Sequence, residues 1–348
     1  MKTLSLKRLL PLVAIAALTS QNLAAQTSSD TTRTQNRPSW VPRVSGTIRA
    51  KAEYQTRERE SRFEVRTARV ALEGFVTPIV DYKAEIDLSD EGQIKMLDAY
   101  AGVLPIQGLD IRLGQMRVPF SIDAHRSPHK QYFANRSFIA KQVGNVRDVG
   151  FYAGYTFHDQ PLILEAGAFN GSGLTHQKDF WTKKFNFSVK AQVPLPCGLT
   201  LQASVQKISP NSINTYLYDG GLTFQSGRFT LEAEYLRKHY THGAFSNVNA
   251  WDAFVCYDQP LRKVFRKLSL LCRYDRMGDH SDGTLTDDGR MKLTDASRQR
   301  VTGGITLSMA KKMNADIRLN YEKYFYHDIT LAKPSERDKA VVELVVHF

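Results

Sequence analysis

The chain has 348 residues, a formal net charge of +12 and three cysteines. That length is ample for one large domain, and three cysteines cannot make the disulfide framework of a small exported fold. The basic residues alternate with acids instead of forming a stripe, which excludes a nucleic-acid surface.

At the N-terminus, Lys2, Lys7 and Arg8 precede an apolar run from Leu9 to Leu18, and Leu23-Ala24-Ala25 offers small residues for cleavage before Gln26. Residues 1–25 therefore read as a secretory signal peptide, whose removal leaves a charge of +9. The run ends too early for a membrane-spanning helix, which needs about 20 apolar residues. No later run approaches that length, so a membrane role requires a closed barrel of strands. Residues 26–42 have no periodicity and read as a flexible periplasmic lead-in.

From residue 43 to 348 period-2 segments follow one another. The pattern predicts strands at 43–54, 62–75, 80–88, 94–103, 109–117, 148–157, 162–169, 183–193, 199–207, 215–225, 228–238, 248–258, 266–276, 298–309, 313–325 and 338–348. These are sixteen segments, several with the 9 to 11 residues of a tilted strand crossing a bilayer. After the even strands come short turns such as TP, LPIQG, HDQP, PLPCG, SG and AKKM, with DQPLRKVF the longest of that set. After the odd strands come longer polar loops, including NGSGLTHQKD and GDHSDGTLTDDGRMKLTDA. Sorting of loop length by parity predicts an all-β transmembrane antiparallel barrel, with short turns and both termini at the periplasmic rim.

The two faces of each segment differ. In 43–54, Val44, Ile48, Ala50, Ala52 and Tyr54 alternate with Arg43, Thr47, Arg49, Lys51 and Glu53. Alternation alone also suits a secreted soluble β-sandwich serving binding or adhesion. The barrel is favoured because charges are nearly absent from the apolar parity, where a mid-bilayer charge costs about 2–4 kcal/mol. Parity nominates Arg49, Lys51, Arg112, Lys184, Lys190, Arg273, Arg300 and Arg318 as basic groups of the lumen wall, among inward acids such as Glu53, Glu232 and Glu343. Aromatics near strand ends (Tyr54, Phe157, Phe224, Tyr274 and Tyr324) suit interfacial girdles. Cys256 and Cys272 lie on consecutive strands but opposite faces, so no pairing is expected.

The segment PFSIDAHRSPHKQYFANRSFIAKQVGNVR, residues 119–147, is too long for a plain connection. It holds Arg126, Lys130, Arg136, Lys141 and Arg147 against the single acid Asp123, with aromatics and a helix-compatible piece from Arg136 to Gln142. Folded into the lumen, these cations would contact anions in a narrow passage. A solvated external loop is the plainer alternative.

The pieces LDIRLGQMRVPFS, NRSFIAKQ, NVRDVGFYAGYTF and VRTARVALEGFV, with the terminal Phe348, resemble the phosphate-selective porin O and P family of Gram-negative outer membranes. The resemblance runs over nearly all of residues 43–348. It implies a sixteen-stranded barrel, commonly a homotrimer, whose third external loop folds inward to narrow the pore. It also implies that Phe348 is an assembly signal read by the barrel-insertion machinery. The expected partners are small anions such as phosphate, outer-membrane lipid and lipopolysaccharide. Passive diffusion of small hydrophilic solutes with anion preference is the expected function, and a general non-selective porin is the alternative. Neither catalytic motifs nor a regular arrangement of histidines suggests an enzyme, a metal or a cofactor; Pro128 separates His125 from His129.

Overall fold

The computed structural model describes residues 41–348 apart from 143–145, 175, 211–212 and 310–313. The segment expected to be a signal peptide, nearly all of the expected lead-in and the AKKM turn lie outside the described residues. The strands are β1 Arg43–Gln55, β2 Ser61–Thr77, β3 Val80–Asp90, β4 Gln93–Val103, β5 Leu109–Arg117, β6 Arg147–Thr156, β7 Ile163–Phe169 and β8 Asn186–Pro194. They continue as β9 Leu199–Ile208, β10 Thr215–Ser226, β11 Phe229–Tyr240, β12 Val248–Pro260, β13 Phe265–Met277, β14 Arg298–Met309, β15 Ala315–Tyr326 and β16 Lys339–His347. One short α-helix, α1 Phe138–Gln142, lies in the long loop, after a 3-10 turn at Pro128–Lys130.

Each strand pairs antiparallel with its sequence neighbours, and β1 also pairs with β16, so the sheet closes. The seam runs in register from Thr47 opposite His347 to Gln55 opposite Lys339. Closure matters because a sheet edge in hydrocarbon would leave backbone donors and acceptors without partners.

Burial is inverted relative to a soluble protein. Phe63 and Leu113 are 90% and 68% exposed, whereas Arg300 and Glu343 are fully enclosed at 0%. The outward face is an apolar band and the inward face a packed polar network, which excludes the soluble sandwich. Cys256 is buried and Cys272 exposed, on opposite faces as the alternation requires.

Two expectations need correction. Strand β8 begins at Asn186, so Lys184 sits exposed in the preceding external loop and not on the lumen wall. Tyr324 is no girdle residue: it shares the inward parity of Arg318, Asn320 and Glu322, and its hydroxyl donates to Glu322 Oε2 at 2.7 Å.

At the last residue, the Phe348 amide donates to Gly46 O at 3.1 Å and the Gly46 amide to Phe348 O at 3.0 Å. The Phe348 ring lies over Gly46, filling the space a Cβ would take. Replacing Gly46 by Leu, or deleting Phe348, is expected to reduce the yield of folded barrel severalfold while leaving the conductance of assembled barrels unchanged. Heat-modifiable gel mobility and single-channel recording check the two parts; equal yields would remove this contact from assembly.

Candidate functional site

The long loop enters the barrel. β5 ends at Arg117, and the chain turns at Ser121, whose φ of 63° is unusual for a side-chain-bearing residue. The turn is held from the wall. Ser188 Oγ donates to Pro119 O at 2.7 Å, and the Ile122 amide donates to Glu234 Oε1 at 2.8 Å.

Asp123 ties the two limbs of the loop together. Its Oδ2 accepts from the Ser137 amide at 2.9 Å and the Ser137 hydroxyl at 3.0 Å, and Oδ1 accepts from Arg126 at 3.2 Å. Burial alone would raise this carboxyl, but Arg136, Arg126 and Arg273 outweigh it and hold it down to about 2. Ser137 in turn caps α1, accepting the Ala140 amide at 3.1 Å.

Wall arginines grip the far limb. Arg49 donates to Ala134 O at 2.7 Å, Arg300 to Arg136 O at 2.7 Å and Arg318 to His129 O at 3.2 Å. The loop aromatics answer them: Phe138 lies 4.6 Å from the Arg298 guanidinium and 4.7 Å from that of Arg300, and Phe133 lies 4.4 Å from that of Arg273. At its lowest point His129 stacks on His347 with ring centroids 4.9 Å apart, beside Thr47 near the periplasmic end of β1. The loop thus spans much of the depth of the lumen.

Of the loop cations, Arg126 pairs with Glu232 at 2.5 Å, deep against β11. Burial would lower its pKa, yet Glu232 and Asp123 hold it above the ordinary value. Arg136 donates to the Asp123 and Arg126 carbonyls, and burial pushes it down to about 10. Lys141 meets Glu336 at 3.1 Å and is lowered to about 8 by burial. Lys130 is exposed and forms no ion pair among the described residues. Arg147, the first residue of β6, is bound to Asp98 at 2.6 Å.

The wall cations are spent on carboxylates too. Arg49 and Arg318 share Glu343, at 2.8 and 3.0 Å. Arg273 and Arg300 share Asp275, at 2.9 and 3.0 Å. Lys51 pairs with Glu53 at 2.8 Å, Arg112 with Asp110 at 3.0 Å, and Lys190 with Glu165. The column nominated by parity is chiefly the seat of the loop.

Open space lies on the other side, as a cavity of about 910 Å³ between the loop and β2–β4. Its lining holds seven basic residues, Arg49, Arg62, Arg66, Arg69, Lys95, Arg136 and Arg147, against the four acids Glu64, Asp87, Asp90 and Glu91. Arg62, Arg66, Arg69 and Lys95 were not among the residues expected from parity. For the arginines of β2 the cause is a β-bulge. Ala50 opposes Val65 while Arg49 opposes Thr67, so Arg66 is the extra residue and alternation shifts there. The spacing of Arg62, Arg66 and Arg69, four then three, was the available signal. Arg69 meets Asp87 at 2.9 Å, whereas Arg66 reaches only Glu64, at 3.7 Å, and is the least committed cation of this lining.

No curated protein sequence matches the chain. Solved barrels do match in fold. OmpF of Salmonella typhi, in complex with daunomycin, superposes with a TM-score of 0.64 at 12% identity, over 88% of this chain and 97% of that one. An anion-selective porin from Comamonas acidovorans gives 0.61 at 12%, over 88% and 99%. The outer-membrane expressed OmpT of Vibrio cholerae gives 0.59 at 10%, over 88% and 97%. The family model described as phosphate-selective porin O and P matches residues 44–226, from β1 through the inward loop to β10. A closed barrel with an apolar exterior, a loop seated in its lumen and that match together make the chain a member of the phosphate-selective porin O and P family: an outer-membrane diffusion porin with periplasmic termini.

Proposed function

We propose that the barrel passes small hydrophilic solutes with a preference for anions, along the cavity between the inward loop and β2–β4. The excess of basic over acidic side chains lining that cavity carries the reading. Cations in a confined, partly dehydrated passage raise the local anion concentration and repel cations. The preference is moderate, because Arg62, Arg69 and Arg147 are each paired with acids. Phosphate and other oxyanions are permeant on this reading, with the Arg66 fork the best placed to meet them. The homotrimer belongs to the same proposal. Small outward residues, among them Ala84, Ala99 and Ala101 on β3–β4, allow close approach of a second barrel; the mass of the detergent-solubilised particle tests it.

Under a salt gradient the reversal potential is expected to have the sign of anion permeation. Replacing Arg62, Arg66 and Arg69 together by Gln should bring the anion-to-cation permeability ratio close to one. An unchanged ratio would remove this passage from the mechanism. Phosphate added to a chloride current separates a binding site from a general field: saturable block indicates the site, and simple additivity the field alone.

Arg126 has a different task. Its replacement by Ala leaves Glu232 without its cation and takes from Asp123 one of three, at a cost to loop seating of about 3 kcal/mol. A larger, noisier conductance and faster protease cleavage within residues 119–147 are expected. Unaltered current and cleavage would mean that the loop is held elsewhere.

Acid should also loosen the loop. Burial, with Lys190, Arg117 and Arg147 nearby, holds the His125 imidazole well below its ordinary value of 6.5. A released loop would let His125 regain that value, so it takes up protons that the seated loop refuses. Seating is therefore fully favoured above pH 6.5 and weakens as pH falls below it. Current noise should rise between pH 7 and pH 5, and His125→Gln should flatten that rise; an identical profile in the variant would exclude His125.

A further inference from the structure

The outward rows of β9–β13 change character toward the external rim. In β11 the lipid-facing residues Phe229, Leu231, Ala233 and Tyr235 are followed by Arg237 and His239; in β13, Leu270, Cys272 and Tyr274 are followed by Arg276. Cross-strand register sets these cations among polar aromatics. Arg237 opposes Tyr218 and Asn249, and Arg276 opposes Trp251 and Gln299. Tyr235 donates to Asn249 at 2.8 Å and Tyr274 to Gln299 at 3.0 Å, so the amides are held in place beside the guanidinium groups. The Tyr235 and Trp251 rings pack at 4.5 Å.

Two contrasts make this patch unusual. Inside the barrel nearly every arginine meets a carboxylate, yet Arg237 and Arg276, both exposed, form no ion pair among the described residues. The outward face of β9–β13 contains no Asp or Glu at all. Elsewhere the rim is apolar, as at Phe63, Leu88 and Ile94, or neutralised, as at Lys323 with Asp338. Arg237 and Arg276 stand two strands apart and two residues out of register, roughly 12 Å. Uncompensated charge at the lipid boundary calls for an anion in the lipid layer itself.

We propose that the external rim of β9–β13 is a docking site for a phosphorylated outer-leaflet lipid, a lipopolysaccharide, whose headgroup phosphates lie on Arg237 and Arg276. Guanidinium forks take phosphate bidentately, and the Tyr218, Tyr235, Trp251 and Tyr274 rings sit at the depth where headgroup meets acyl chain. Solutes in the lumen do not reach this face, so the site is separate from the passage.

The test uses the delipidated full-length barrel and three probes: bis-phosphorylated lipid A, the same lipid A dephosphorylated, and inorganic phosphate. Native mass spectrometry in detergent reads retention. Wild type is expected to keep the phosphorylated lipid at least tenfold more tightly than its dephosphorylated counterpart, with no displacement by equimolar inorganic phosphate. Arg237→Gln with Arg276→Gln should lose that difference while single-channel conductance stays unchanged. Equal retention of the two lipids by wild type, full retention by the variant, or displacement by free phosphate would each overturn the proposal. Should the Gln variant fail to assemble, Arg237→Lys with Arg276→Lys, which keeps the charge but not the fork, is expected to retain the lipid with intermediate strength; the wild-type lipid comparison stands without any variant.

Discussion

Hydrocarbon will not solvate a backbone amide, and most of this architecture follows from that refusal. Every strand must find two partners, so the last has to meet the first, and β16 does so along the whole of its length beside β1. Once the sheet is closed, alternation assigns half of each strand to lipid and half to the lumen. The charged residues then have one place to go, and they accumulate inside at a density that forces them to neutralise one another.

That accumulation explains how the loop is held. A lumen lined only by arginines would repel itself; lined by arginine–carboxylate pairs it is nearly neutral and still rich in unused N–H donors. Those donors find backbone carbonyls of the loop, as Arg49, Arg300 and Arg318 do, while ring faces of Phe133 and Phe138 cover the guanidinium planes. The cations expected to attract solute therefore serve as anchors on the β13–β1 side. Residual charge is left to the β2–β4 side, where the loop does not press against the wall. Division of labour between the two halves of the wall comes from where the loop lies, not from any difference in the composition of the strands.

Much of the barrel is legible in the sequence because period and turn length are local signals. The sixteen strands, their parity and the inward course of the third external loop all follow from alternation, loop lengths and resemblance. Failures occur where a local signal is ambiguous. Lys184 carries the alternation of β8 back beyond the point where the strand begins, so its sequence context cannot mark it as a loop residue. Tyr324 stands near a strand end, as a girdle residue would, but faces inward by parity. Arg66 occupies a bulge, which shifts alternation by one and hides the arginines of β2 from a strict period-2 count. The partners of the loop were beyond reach for another reason: Arg126 with Glu232, or Arg300 with the carbonyl of Arg136, are separated by more than a hundred residues and meet only through closure.

Glu343 lies on the last strand and receives Arg49 from the first and Arg318 from the one before it, and those two arginines are the ones that hold Ala134 and His129. His347, the last residue of β16, supplies the ring on which His129 rests. The seat of the loop is therefore completed by residues of β16. Without the β1–β16 seam the loop would lose the ordered contacts of Arg49, Arg318 and His347 while keeping those with β8, β11 and β14, so an incomplete barrel would hold its constriction loosely as well as being unpaired. Pore size in this protein is a readout of closure.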